Sequence, residues 1–133
     1  MRVLIDTNIY LDIALQRKPF AKNSLATIKR ISSSGIVLYA PHSLATTFYL
    51  CEKQLGTEIA LERVTTLLET VQVGKFDHED ALISLSLNRK DFEDGMILAT
   101  ALANQADYIV SRNCVDFEGT DIVALTPEEF LEM

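Results

Sequence analysis

A chain of 133 residues, 48% of them hydrophobic, suits one globular domain over residues 1–133 with a single core, and it is too short for two ordinary domains. A formal net charge of −7 disfavours stand-alone, tight binding of a polyanion, so either the partner is no nucleic acid or the acidity is gathered where a cation binds. No apolar run reaches the roughly 20 residues that cross a bilayer; Asp6 and Asp12 break up any leader-like start, so no membrane partner and a cytoplasmic location are expected.

Residues 2–5, RVLI, read as a short buried strand, and 9–15 as a short helix. Pro19 marks a break. Phe20, Leu25, Ile28 and Ile31 recur at near-helical spacing, and the run SSSG at 32–35 stops that helix, with Gly35 suited to the position after a helix end. IVLYA at 36–40 is a second strand, closed by Pro41. Leu44, Phe48, Cys51 and Leu55 form one helix face that Gly56 ends, and Ala60, Val64, Leu67 and Val71 form another that stops at Gly74.

The stretch 77–88 alternates at Ile83, Leu85 and Leu87 like a strand, but Asp77 with Asp80 looks like an acidic helix start, and helix is the preferred reading. Residues 91–105 are helical in composition, although Gly95 weakens a helix by about 1 kcal/mol relative to Ala. YIVS at 108–111 and DIVAL at 121–125 are short strands. TPEEFLEM closes with a helix start: Thr126 caps it, Pro127 takes its first position, and Glu129 completes a capping box.

Strands separated by helices imply parallel crossovers and an α/β layered fold. In such sheets, sites form beyond the C-terminal ends of the strands. Asp6 follows the first strand directly. Ser111, Arg112 and Asn113 follow the YIV strand, with Asp116 just beyond. Asp94 lies in the first turn of the late helix, on the same face as Asp91. Carboxylates that converge repel one another unless they are protonated, hydrated or neutralised by a cation. Hard oxygen ligands suit Mg²⁺ or Mn²⁺, which can polarise a phosphate and activate water. Taken singly, each acid has an ordinary alternative: a cap for Asp6 and Asp91, favourable charge in a first turn for Asp94, a turn residue for Asp116.

Other candidates carry less. His42 and His78 are isolated, and surface or capping roles suit them. Ser43 has no His–Asp support for nucleophilic catalysis. No glycine-rich phosphate loop exists. Cys51 and Cys114 have no metal-type spacing and read as free thiols.

Three blocks, VLIDTNIYLDIAL at the N-terminus, DFEDGMILATALANQADYIVSRNCVDF at 91–117 and the closing TPEEFL, resemble the PIN-domain family along essentially the whole chain. The resemblance implies a three-layer α/β/α sandwich around a central parallel sheet. It implies a metal-dependent ribonuclease, hydrolysing RNA to a 5′-phosphate and a 3′-hydroxyl, and the toxin of a VapBC-type toxin–antitoxin module. Asp6, Asp94 and Asp116 match the family's catalytic, metal-binding acids, with Mg²⁺ or Mn²⁺ as cofactor. Asn8, Asp91, Ser111 and Asn113 match its supporting polar residues. A cognate antitoxin, covering the acidic pocket with an Arg or Lys, and a homodimer are expected as partners beside the RNA.

One departure stands out. Many members carry a second acid, usually Glu, in the helix after the second strand. Here that place holds Thr46, Thr47 or Tyr49, as in a subgroup lacking this acid, and the nearest substitute is Glu52. Arg89, Lys90 and Arg112, with Lys53 beside Glu52, are placed to touch RNA phosphates, or are ordinary solvated charge. The missing acid keeps a rival reading alive: a degenerate, non-catalytic PIN domain that binds RNA or protein. A phospho-acceptor receiver domain is a weaker rival, because the chain has no adjacent acid pair after its first strand.

Overall fold

The computed structural model describes residues 1–133. Five parallel strands form one sheet: β1 (Arg2–Ile5), β2 (Ile36–Tyr39), β3 (Gln72–Val73), β4 (Tyr108–Val110) and β5 (Val123–Leu125). Their order across the sheet is β3-β2-β1-β4-β5, so the first strand made is the central one. Leu4 is in register with Leu38 on one side and Ile109 on the other.

Seven helices flank the sheet: α1 (Thr7–Ala14), α2 (Phe20–Ser34), α3 (Pro41–Leu55), α4 (Thr57–Thr70), α5 (His78–Ser86), α6 (Phe92–Ala103) and α7 (Pro127–Leu131). Alternation along the strands separates two cores, because successive side chains leave opposite faces of a sheet. Val3, Ile5, Val37, Tyr39 and Val110 pack with α1, α2, α3, α4 and α7. Leu4, Leu38 and Ile109 face the other way, onto Ile97, Leu98 and Ala101 of α6. The result is the expected three-layer α/β/α sandwich. Each fully buried Leu or Ile contributes about 1.5–3 kcal/mol relative to an exposed one.

Local sequence accounts for most boundaries. Asp77 and Asp80 close a reciprocal capping box at α5, and Thr126 with Glu129 closes another at α7. Pro41 stands at the first position of α3, and Gly56, at φ 88°, ends it. The preferred helix over 77–88 is α5, and its alternating Ile83 and Leu85 are exposed.

Several expectations need correction. β3 has only two residues, too short for periodicity to reveal it; it pairs Gln72 and Val73 with Leu38 and Tyr39. The helix expected at 9–15 begins at Thr7 because Asp6 caps it. The strand expected over 121–125 starts at Val123. Gly35 is extended rather than left-handed; a Cβ there would lie 2.1 Å from the Met1 carbonyl oxygen, which accepts a hydrogen bond from Ile36 N–H. Gly95 has a similar cause: a Cβ would stand 2.8 Å from the Ser84 carbonyl oxygen, so the residue that weakens α6 permits α5 to lie against it. No helix is long and apolar enough to cross a membrane.

Candidate active site

The site lies at the C-terminal edge of the sheet, where β1 and β4 end side by side. Asp6 is the first residue beyond β1. Its N–H still donates to the Val110 carbonyl, at 2.9 Å, which continues the β1–β4 ladder. Its side chain then serves two elements at once. Oδ1 accepts from Thr7 N–H at 2.8 Å and caps α1, while Oδ2 accepts from Ser111 Oγ at 2.8 Å. Capping and a place in the site are therefore the same geometry, and Asn8 takes no part in starting the helix. Its Oδ1 accepts from Arg17 Nη1 at 3.0 Å.

Ser111 is fully buried and ties the loop after β4 together. Its N–H continues the sheet to the Leu125 carbonyl, and its Oγ accepts from Asn113 N–H at 3.0 Å. Asn113 itself is exposed and leads into a 3-10 turn over Cys114–Phe117, where Asp116 N–H donates to the Asn113 carbonyl. Phe117, fully buried against α6, anchors the far end of the turn. Across the site, Asp91 caps α6 by accepting from Glu93 N–H, which sets Asp94 in the first turn. An open depression is lined by Lys90, Asp91, Phe92, Asp94 and Asp116.

The acids act on one another. Burial pushes the Asp6 carboxyl up; its hydrogen bonds from Ser111 and Thr7 oppose this, the Asp116 charge adds to it, and the Arg112 charge opposes it. Asp94 is pushed up to about 6, first by burial and then by Asp116, Asp91, Asp6 and Glu93. Glu93 is raised by burial and by Asp91 and Asp6. Asp6, Asp94 and Asp116 thus share one electrostatic environment. They do not close into a finished cage: no three His, Cys, Asp or Glu side chains stand together as a ready metal-holding group. The donor chemistry nevertheless fits a hard cation. Mg²⁺ needs only one or two carboxylates and keeps several waters, and a cation would offset the burial and the neighbouring charges that raise Asp94.

Opposite Asp6, where a second acid was sought, stand neutral hydroxyls. Thr47 is buried; its Oγ1 lies 2.6 Å from the Tyr39 hydroxyl and donates to the Ser43 carbonyl at 2.7 Å. Ser43 Oγ lies 2.7 Å from Thr7 Oγ1, and the Tyr39 hydroxyl donates to the Thr7 carbonyl at 3.4 Å. Burial, chiefly, and the Asp6 charge among other causes hold the Tyr39 phenol protonated. Thr46 hydrogen-bonds back to the His42 carbonyl, and Tyr49 points to solvent. Glu52 does not substitute. It sits near the far end of α3 and accepts from the Thr57 hydroxyl at the start of α4.

The cations divide. Lys90 lines the depression. Arg89 is half-buried beside Gly119, and Lys53 is exposed in the last turn of α3. Arg112 is not free for phosphate in the way expected. Its Nε and Nη2 reach the fully buried Asp12 at 2.9 and 3.2 Å, and its guanidinium lies 4.0 Å from the centre of the Phe20 ring. Sequence reasoning passed over Asp12 as a site residue because its partner stands 100 positions away; its one signal was a carboxylate amid the apolar residues of α1. His42 is half-buried with neither ring nitrogen hydrogen-bonded, and burial lowers its pKa. His78 is exposed at the start of α5, and both cysteines are free thiols.

A family model described as PIN domain matches residues 2–114. Ribonuclease VapC1 of Aquifex aeolicus is 31% identical, over 98% of this chain and 94% of its own length. Among solved structures, the fold is similar to VapBC2 from Rickettsia felis bound to a promoter DNA fragment, with TM-score 0.78, 14% identity, and coverage of 95% of this chain and 98% of that one. It is likewise similar to VapBC-1 from nontypeable Haemophilus influenzae, with TM-score 0.75, 17% identity, and coverage of 96% and 99%. A toxin–antitoxin complex from Klebsiella pneumoniae gives TM-score 0.71, 22% identity, and coverage of 94% and 97%.

Proposed function

The chain belongs to the PIN-domain family, and on that premise we propose that it is a metal-dependent endoribonuclease, the toxin of a VapBC-type toxin–antitoxin pair. The observation that carries this reading is the placement of Asp94 and Asp116 on one open depression at the sheet edge, with Asp6 near enough that its charge adds to the burial that raises Asp94. An acidic protein that meets RNA needs a cation between the two negative charges. Asp6, Asp94 and Asp116 would hold Mg²⁺ or Mn²⁺, which supplies Lewis-acid polarisation of a phosphate and a water of lowered pKa.

The chain's own groups supply the rest. Ser111 and Thr7 N–H orient the Asp6 carboxylate and favour its charged form. Asp94 holds a proton below about pH 6 and becomes a carboxylate above it. Asp91 fixes the start of α6 and so the approach of Asp94. Lys90 meets a phosphate flanking the scissile one, and Phe92, exposed at the rim, offers a stacking face to a base. The antitoxin covers the same acidic depression with a basic side chain. A homodimer and a cytoplasmic location belong to this reading.

A second reading, an RNA- or protein-binding PIN domain without turnover, is favoured by the neutral Thr47–Tyr39 pair where an acid was sought. One experiment separates the two. Single-stranded RNA is incubated with Mn²⁺ and either the wild type or Asp6→Asn, and Mn²⁺ binding is followed by calorimetry. Cleavage by the wild type alone supports the enzyme. RNA retained but uncut under every divalent metal supports the binding module.

A further inference from the structure

Asp12 is a carboxylate with no solvent exposure, set in a helix whose neighbouring residues Ile9, Leu11 and Ala14 are core. Burying a charge there is costly, and ion pairs of this kind often add no net stability over apolar packing. Its partners suggest what the charge is for. Arg112 binds it through two nitrogens, Nε to Oδ2 and Nη2 to Oδ1, a side-on fork that fixes the guanidinium plane. Phe20 covers that plane. Arg17 Nη1 reaches Asp12 Oδ1 at 3.4 Å and also holds Asn8 Oδ1, one turn earlier on α1. Arg112 directly follows Ser111, whose hydroxyl is on Asp6, and precedes the turn that presents Asp116.

We infer that Asp12 and Arg112 are a positioning pair, which locks the loop bearing Asp116 to the helix that Asp6 caps and so sets the spacing of these two acids. Neither residue touches RNA in this role. The inference rests on the ribonuclease reading and names residues that make its site competent. A lysine cannot replace the arginine here, because one ammonium cannot make the fork. A phosphate contact, in contrast, would tolerate lysine.

The full-length chain is compared with Arg112→Lys, Arg112→Met and Asp12→Asn. The readouts are circular dichroism for folding, calorimetry for Mn²⁺ affinity, and steady-state cleavage of single-stranded RNA. Folded Arg112→Lys and Arg112→Met should both lose roughly 10–100-fold in kcat and in Mn²⁺ affinity, the scale found for residues that orient metal ligands. KM for RNA should stay unchanged. If Asp12→Asn fails to fold, the Arg112 variants decide, since that side chain is 29% exposed. Arg112→Lys with wild-type kcat and Mn²⁺ affinity overturns the inference, as does a loss confined to KM. A wild type that neither binds Mn²⁺ nor cuts RNA overturns the ribonuclease reading itself; an active wild type with unaffected variants overturns only the positioning role.

Discussion

Ser111 Oγ donates to Asp6 Oδ2 at 2.8 Å, joining the ends of two adjacent strands whose residues are 105 positions apart in sequence. The hydroxyl favours the ionised form of a carboxyl whose pKa burial raises. Ser111→Ala should therefore fold, lose about 1.5–3 kcal/mol as is typical for a hydrogen bond to a charged group, and raise the Asp6 pKa further. The acidic limb of the pH–rate profile for RNA cleavage should move to higher pH. An unmoved limb would count against Asp6 as the titrating acid.

Asp94 is raised from an ordinary carboxyl to about 6. A raised pKa means that the folded state holds the proton more tightly than the unfolded chain does, so the associated stability is full below about pH 4 and lost as pH rises through 6. Asp94→Asn should remove that loss. At pH 7.5 the variant should be more stable than wild type by on the order of 1 kcal/mol, after discounting for solvent screening of a half-exposed group. It should also be inactive. Urea unfolding at pH 4 and pH 7.5 checks this; a variant less stable at pH 7.5 would refute a cost of ionising Asp94 in the folded state.

The raised Asp94 carboxyl also gives metal binding a pH signature. Ligand carboxyls must be deprotonated before they bind a cation. The rise in Tm on adding Mn²⁺ should be larger at pH 7.5 than at pH 5. At a hundredfold excess over Kd, one site stabilises by about 2.7 kcal/mol. Differential scanning fluorimetry with and without a chelator reads the difference, and equal shifts at both pH values would exclude Asp94 from the ligand set.

Gly95→Ala reverses the ordinary helix rule. Propensity alone favours Ala by about 1 kcal/mol. The added methyl would stand 2.8 Å from the Ser84 carbonyl oxygen, which is backbone and cannot swing aside. The net effect should be a loss of about 1–3 kcal/mol, the usual cost of overpacking, read by chemical denaturation. A gain in stability would show that α5 yields freely.

Much of this could be read from the chain, for physical reasons that differ by residue. Val3, Leu4 and Ile5 form a strand buried on both faces, so continuous hydrophobicity marked it, and Asp6 at its end marked the site. Thr126, Pro127 and Glu129 specify a helix start by local hydrogen bonding alone. The features missed depend on partners distant in sequence. β3 exists only because Gln72 and Val73 meet Leu38 and Tyr39. Arg112 looked available for phosphate because nothing near it in sequence shows Asp12 beneath it. Glu52 looked available as a substitute acid because helical phase does not reveal that it turns to Thr57.

The strand order β3-β2-β1-β4-β5 also has a consequence in time. Along the chain the central strand precedes the other four, and one of its two neighbours, β4, follows only after β2 and β3. Asp6 waits with one side of β1 unpaired until β4 and the turn bearing Asp116 have left the ribosome. An unfinished chain thus contains the first acid of the site without the last. A chain cut before β4 therefore leaves Asp6 without the Ser111 hydroxyl and without the neighbouring Asp116 charge.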